Sequence, residues 1–368
     1  MHPKPIKIVI SGGGTGGHIF PAIAIADSVR QLKPDADILF IGAQGRMEMD
    51  KVPQAGYSIK GLWISGLQRK MSFKNLSFPF KLLYSLFKAY SILRKYKPNI
   101  VVGVGGYASG PTLRAALWLN IPTLIQEQNS YPGITNKLLG RKVNRICVAY
   151  DNMEKWFPKE KIVQTGNPLR KAAVDIGGKT KLAHKFFELK EEKTTVLVVG
   201  GSQGAKTINL TLNQNLKQIC SEGIQLIWQT GKTYYNEAKE VTSKAGLKDA
   251  VKPVAFINRM DLAYAAADII VSRAGAMAIS EIAVVGKPVI FIPFPFASED
   301  HQTKNAKRLV LKKAALLVEN KDVSELLLPT IISLSKNKQL QNELAKNISQ
   351  FAITDASENI AKEILELV

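Results

Sequence analysis

Four glycine-rich segments carry the residues best placed to do chemistry. IKIVISGGGTGGH runs from an apolar stretch into glycines and ends with Thr15, Gly16, Gly17 and His18. TTVLVVGGSQGAK repeats the plan in mid-chain around Ser202. Each is followed by a second glycine exit, NIVVGVGGYASGPTLRAA in the first half and DIIVSRAGAMAISEIAVVGKPVIFI, with Glu281, in the second. A strand feeding a glycine loop that opens a helix aims main-chain N–H groups at its ligand, and the helix dipole favours an anion there. Two such units in tandem suit the joining of one phosphorylated substrate to another.

The individual residues narrow the chemistry. GGGTGGH holds a dinucleotide-like glycine spacing, but a nicotinamide site also wants an acid where the second strand ends. That strand ends Ile41-Gly42-Ala43-Gln44, without one. The lysine and hydroxyl of an ATP phosphate loop are also missing. His18 falls at the first turn of a helix, where the dipole disfavours imidazolium. It is either a neutral proton acceptor or a lining of the loop. Ser202 adds a hydroxyl to a loop suited to a diphosphate. Glu281, one to two turns into a helix, could accept both hydroxyls of a ribose or be a solvated helix acid. Arg170 follows the Gly166-Asn167-Pro168 turn and could reach a phosphate. The polar run Glu299–Asn305 could read sugar hydroxyls.

These loops need strands and helices to position them. Candidate strands are Ile6–Ser11, Asp37–Ile41, Ile100–Gly103, Thr123–Gln126 and Arg145–Ala149, then Val196–Gly200, Gln225–Gln229, Val251–Ala255, Asp268–Val271 and Pro288–Pro293. Helical stretches such as Pro21–Leu32 lie between them. Short Val/Ile-rich strands alternating with helices predict the α/β class, with two Rossmann-like parallel-sheet domains. The expected domains are residues 1–167 and 168–352, with the helix 353–368 packing back on the first.

With 368 residues and 46% hydrophobic content, the chain can fill two cores. Cys147 and Cys220 show no metal-ligand spacing and cannot build a disulfide framework. No metal or cofactor is expected. The N-terminus enters a strand without a signal-like segment, and no uninterrupted apolar run is long enough to span a bilayer. The expectation is a cytoplasmic protein. Its net charge of +20 is uneven: no Asp or Glu occurs from Lys51 through Gln126, where eleven Lys or Arg fall. Such a field attracts nucleic acid, anionic lipid or a phosphorylated substrate.

Phe78–Lys97 decides among these. Phe80, Leu83, Tyr84 and Phe87 form one helical stripe; Leu82, Leu86, Ala89 and Leu93 form another. A helix on a sheet needs only one. Lys74, Lys81, Lys88 and Lys95 recur every seven residues. Apolar surplus edged by lysine describes a helix lying on anionic lipid, with Phe80, Leu82, Leu86, Lys81 and Lys88 as expected contacts. A core face plus a dimer contact is the plainer alternative. No nucleic-acid motif accompanies the stripe, so no nucleic-acid partner is expected.

GGGTGGHIFPA, GVGGYASGP, QEQN, GNPLR, GGSQGA, SRAGAMAISE and DHQTKNA together resemble the MurG family of bacterial glycosyltransferases, across essentially the whole chain. The resemblance implies a GT-B fold, two Rossmann-like domains facing a cleft, and an inverting, metal-independent hexosyltransferase. Such an enzyme moves N-acetylglucosamine from UDP-N-acetylglucosamine to the undecaprenyl-diphosphate-linked muramyl-pentapeptide (lipid I to lipid II) of peptidoglycan synthesis. It implies a peripheral position on the cytoplasmic face of the membrane, a part in cell-wall biogenesis and division, and contacts with other cell-wall enzymes. Thr15, Gly16 and Gly17 then line the donor's diphosphate and sugar. Asn129, Arg170, Ser202, Ile257 and Gln302 contact the donor. Glu281 binds the ribose, with Ala276 and Met277 in its loop. His18 is the candidate base, with Glu127 second. Three departures stand out: Gln126 replaces the family's histidine, Ala274 interrupts its Ser-Gly-Ala box, and Ala278 replaces a threonine. A UDP-sugar 2-epimerase, a diacylglycerol glycosyltransferase and a non-enzymatic nucleotide-sugar-binding protein are the rival readings.

Overall fold

The computed structural model describes residues 5–65, 77–201, 203–297 and 300–368. The chain divides into two compact units, Met1–Arg170 together with Ile353–Val368, and Lys171–Ala352. The first crossing lies three residues beyond the expected boundary.

The first unit is built on a seven-stranded parallel sheet: β1 (Lys7–Ser11), β2 (Asp37–Ala43), β3 (Ser58–Leu62), β4 (Ile100–Gly103), β5 (Thr123–Glu127), β6 (Arg145–Val148) and β7 (Ile162–Gln164). The spatial order is β3-β2-β1-β4-β5-β6-β7. Helices α1 (Gly16–Leu32), α2 (Glu48–Gln54), α3 (Phe78–Tyr96), α4 (Ser109–Trp118) and α5 (Ile134–Gly140) connect the strands. Side chains alternate across the sheet, so β1 feeds two cores. Ile8 and Ile10 join Ile19, Ile23 and Val102 on one face, while Val9 joins Leu113, Leu93 and Val101 on the other. Truncating one such fully buried side chain, Ile10→Ala, costs about 2–5 kcal/mol.

Helix α1 starts at Gly16, five residues before the expected Pro21. Pro21 lacks the N–H that would bond the Gly17 carbonyl, so α1 forgoes that one bond near its start; the proline sits inside the helix, and the glycine loop runs directly into it.

The second unit repeats the plan with six parallel strands: β8 (Thr194–Val199), β9 (Ile224–Gln229), β10 (Val251–Val254), β11 (Ile269–Ser272), β12 (Val289–Phe291) and β13 (Leu316–Leu317), in the order β10-β9-β8-β11-β12-β13. Its helices are α6 (Lys171–Val174), α7 (Thr180–Phe187), α8 (Lys206–Ser221), α9 (Tyr235–Lys244), α10 (Met260–Ala266), α11 (Ala276–Val285), α12 (His301–Leu311), α13 (Val323–Lys336) and α14 (Lys338–Ser349). Leu197 of β8 packs with Ile270 and Phe291 on one face, Val196 and Val198 with Trp228 and Ile290 on the other. The chain then re-enters the first unit as α15 (Ala356–Glu366). Ile360, Ala361 and Ile364 of α15 complete the core around Ile19 and Ile23.

Strand order reverses between β1 and β4 in the first unit and between β8 and β11 in the second. Ligands of open α/β sheets bind at the carboxyl ends of strands flanking such a reversal. All four glycine segments fall there.

Candidate active site

In the first unit the β1 and β4 exits interlock. A side chain at Gly106 would collide with the Gly13 carbonyl, and one at Gly105 would lie 2.7 Å from His18 Cδ2. Both glycines have positive φ, 84° and 90°. Thr15 precedes α1 in an extended conformation, and its carbonyl accepts the N–H groups of His18 and Ile19 at 3.1 and 3.2 Å. The Thr15 hydroxyl lies 3.3 Å from His18 Nδ1. Thr15 and Gly17 are exposed, Gly16 and His18 partly so. Packing against the loop desolvates the imidazole and lowers its pKa to about 4, against a weaker raising influence from the Gly13 main chain. His18 is therefore neutral at physiological pH, with burial the main cause. A ring with so low a pKa is a hydrogen-bond acceptor first and a proton acceptor only where negative charge grows beside it.

Glu127 ends β5 and is 2% exposed. Its Oε1 accepts from the Asn129 main chain at 3.0 Å and from Asn129 Nδ2 at 3.3 Å. Its Oε2 accepts from Gly133 N–H at 3.0 Å and Asn136 Nδ2 at 2.7 Å. Burial raises its pKa while these four donors oppose the rise. The carboxylate is committed to folding the 128–136 loop and to orienting Asn129, which argues against the second-base expectation. Gln126 is fully buried within an amide chain. Its Nε2 donates to Asn167 Oδ1 at 3.3 Å, and its Oε1 accepts from Gln128 Nε2 at 2.7 Å. The substituted position is internal scaffolding, so no titrating group is lost from a substrate surface. Arg170 stacks its guanidinium on Phe20, 4.3 Å from the ring centre.

In the second unit Gly204 and Gly231 pack main chain to main chain, joining the β8 and β9 exits. Ser202 lies outside the described residues. Gln229 Nε2 donates to the Gly201 carbonyl at 3.0 Å, and its Oε1 accepts Ile257 N–H at 3.0 Å. The Ile257 side chain belongs to the core. Gly275 is the extended residue before α11, followed by buried Ala276 and half-buried Met277. Glu281, one turn on, accepts the Tyr264 hydroxyl at 2.8 Å. Burial, then the Glu281 charge, pushes the Tyr264 phenol well above its usual range, so it remains a neutral donor. Gln302 Oε1 accepts Phe294 N–H at 2.9 Å, fixing the β12 exit against α12. Arg273 donates from Nη1 to the carbonyls of Ile292 and Pro293 and to Asn320 Oδ1, at 2.8–3.1 Å, and burial lowers its pKa to about 10. Among the described residues, no group of three or more His, Cys, Asp or Glu is arranged for a metal ion.

Three residues escaped sequence reading. Tyr107 lies against Gly14 and is exposed. Tyr264 anchors Glu281 from another helix. Glu48 is a buried acid bonded to the Gly14 and Ala43 main chains. The apolar content of α10 hides Tyr264; the pair of acids shortly after the β2 exit, Glu48 and Asp50, was the available signal for Glu48.

The α3 surface corrects the expected membrane contacts. Ser85, Ala89 and Leu93 face the core; Leu82 packs against that core and Leu86 is half-buried. Phe80, Leu83, Tyr84 and Phe87 are exposed, with Trp63 beside Tyr84 at 5.9 Å between ring centres. Lys81 and Lys88 lie over Trp63 and Tyr84 at 5.5 and 5.6 Å. Lys74 lies outside the described residues. Among those described, no helix is long and apolar enough to cross a membrane.

Two parallel-sheet units with paired glycine exits define an α/β protein of the GT-B glycosyltransferase type. The Glycosyltransferase family 28 N-terminal domain matches residues 8–148, and the Glycosyltransferase family 28 C-terminal domain matches residues 195–360. The chain belongs to glycosyltransferase family 28. It is 53% identical over 365 residues, 99% of this chain and 98% of the relative, to the UDP-N-acetylglucosamine--N-acetylmuramyl-(pentapeptide) pyrophosphoryl-undecaprenol N-acetylglucosamine transferase of Cytophaga hutchinsonii. The Bacteroides fragilis protein of that name is 50% identical over 98% of this chain and 96% of its own. The crystal structure of Acinetobacter baumannii MurG superposes with a TM-score of 0.75 at 29% identity, covering 98% of this chain and 100% of that one. The UDP-GlcNAc 2-epimerase of Neisseria meningitidis shares the fold alone, with a TM-score of 0.69 at 16% identity over 98% of this chain and 100% of that one.

Proposed function

We infer that this chain transfers N-acetylglucosamine from UDP-N-acetylglucosamine to the muramyl sugar of undecaprenyl-diphosphate-linked muramyl-pentapeptide, the lipid I to lipid II step of peptidoglycan synthesis. The observation that carries this reading is the near-full-length identity of about half with transferases of that name. Family 28 domains over both halves support a UDP-N-acetylglucosamine-dependent hexosyltransferase.

The finer assignment is ours. The ribose hydroxyls bind Glu281, held by Tyr264, and the uracil lies toward Ile257. Ala276 and Met277 line the loop of Glu281, Gln302 and Ser202 are assigned as donor contacts from the family motifs, and main-chain N–H groups at the helix starts stabilise the growing charge of the diphosphate. Such preorganised donors are worth about 2.7–4 kcal/mol each when they face developing charge. In the first unit, Thr15, Gly16, Gly17, Asn129 and Arg170 are assigned to sugar-nucleotide recognition from the family motifs. The acceptor's 4-hydroxyl attacks the anomeric carbon from the face opposite UDP. His18 accepts the hydroxyl's hydrogen bond, then its proton, as negative charge builds on the leaving diphosphate. The exposed stripe Phe80, Leu83, Tyr84 and Phe87, edged by Lys81 and Lys88, rests on the anionic cytoplasmic face of the membrane where the lipid acceptor resides. Other cell-wall enzymes are proposed to dock near it.

UDP release measured with and without lipid I tests the reading. Release that depends on lipid I, with a disaccharide lipid product, supports it. Formation of UDP-N-acetylmannosamine from donor alone would favour an epimerase, transfer to diacylglycerol the other transferase, and donor binding without any release a non-enzymatic role.

A further inference from the structure

The first glycine loop already holds an anion, and that anion belongs to the protein. Glu48 opens α2, just past the end of β2, and is 1% exposed. Oε1 and Oε2 accept the Gly14 N–H at 3.1 and 3.0 Å, and Oε1 also accepts the Ala43 N–H at 2.9 Å. Its partners among the described residues are main-chain N–H groups, with no cation. Two glycines make room for it. A side chain at Gly13 would strike the carboxylate, and one at Gly42 would lie 2.6 Å from Glu48 Cγ. Gly13 and Gly42 thus admit Glu48, where a nucleotide-binding loop uses such glycines to admit a phosphate. Hydrogen bonds to a carboxylate are charge-assisted and about twice as strong as neutral ones. The same loop continues through Thr15 into His18, so the carboxylate's grip fixes where those two side chains stand.

We propose that Glu48 is the built-in anion of the first loop: it takes the Gly14 N–H that would otherwise meet a phosphate, sets the positions of Thr15 and His18, and leaves the donor diphosphate to the loops of the second unit. Glu48 touches no reacting atom; it is a positioning residue. The proposal rests on the transferase reading for its kinetic consequence and on loop geometry for the rest.

Glu48→Ala leaves the Gly14 N–H facing a gap of carboxylate size. With UDP-N-acetylglucosamine and lipid I, kcat falls about a hundredfold, the scale of a 1 Å displacement in an active site. The donor KM changes little, because the ribose and uracil contacts are untouched. Sodium formate restores much of the lost rate, while sodium chloride at equal ionic strength does not. Glu48→Gln fills the gap with a neutral amide and loses rate without rescue. One readout needs no turnover: formate raises the thermal midpoint of Glu48→Ala and leaves the unaltered chain unmoved, as expected for a ligand that binds only the folded variant. Wild-type kcat in either variant overturns the proposal. So does a loss that formate leaves unchanged in both rate and thermal midpoint. Failure of the unaltered chain to release UDP with lipid I refutes the transferase reading, while the formate-dependent midpoint still decides the role of Glu48.

Discussion

The Tyr264 hydroxyl donates to Glu281 Oε2 at 2.8 Å, tying α10 to α11 beside the β11 exit. The phenol is buried and stays protonated, so the bond persists across the physiological range. It holds one oxygen of Glu281, the residue proposed above to bind the ribose. Glu281→Gln is expected to raise the KM for UDP-N-acetylglucosamine by about 10–100-fold, the loss of a charged hydrogen bond. Tyr264→Phe leaves the acid and removes its anchor, with a rise of about tenfold. Initial-rate kinetics against donor concentration checks both. An unchanged donor KM in Glu281→Gln refutes the ribose assignment.

His18 makes two predictions through its low pKa. The ring stays neutral down to about pH 4 in the folded protein, while the unfolded chain protonates near 6.5. Between these values the unfolded state binds more protons, so stability falls as pH drops through that window and is unaffected by this group above it. Urea titrations of the unaltered chain and His18→Asn should converge in slope above pH 7 and diverge below 6.5. A parallel pH dependence would show that His18 is not desolvated. In turnover, His18→Ala should lower kcat by about 10²–10⁴-fold if the ring takes the proton. Equal UDP release by the two proteins removes it as the base.

The exposed α3 stripe predicts where charge is tolerated. Phe80→Glu with Phe87→Glu should abolish sedimentation with anionic vesicles while leaving the thermal midpoint within about 0.5 kcal/mol of stability, as at exposed sites. Leu82→Glu should instead unfold the first unit, because Leu82 packs against the core. Persisting vesicle binding by the double variant refutes the membrane assignment.

The diphosphate is assigned to main-chain N–H groups. Turnover is accordingly expected to survive exhaustive chelation with EDTA, and added magnesium should not raise kcat. A loss on chelation that magnesium reverses would overturn that assignment.

Much of this was legible in the residues, for stated physical reasons. Val/Ile runs such as Ile8–Ile10 and Val196–Val198 mark strands covered on both faces, and the glycine exits beyond them place the strand reversals. The edge strand Val251–Val254 was legible, but the other three edge strands were not. Ser58–Leu62 alternates weakly, and Leu316–Leu317 is two residues long, so both depend on neighbours to pair. At the site, local motifs marked His18 and Glu281, but not their keepers. Glu48 and Tyr264 act across 34 and 17 residues of chain, and sequence spacing does not encode contacts made by folding. Nor did the motif beside Glu127 reveal the four donors, from Asn129, Gly133 and Asn136, that hold its carboxylate. The α3 helix misled by symmetry, since two apolar stripes do not declare which one turns inward.

The Ser357 hydroxyl donates to the Leu169 carbonyl at 3.0 Å, and Ile353 packs on Gly166. Residues 171–352 therefore leave and rejoin the rest of the polypeptide at adjoining points. The second unit is topologically an insertion, a cassette whose ends are stapled together. An entire unit can therefore be excised or exchanged at one pair of adjoining seams, while the first unit, with the returning helix, keeps its own closed core.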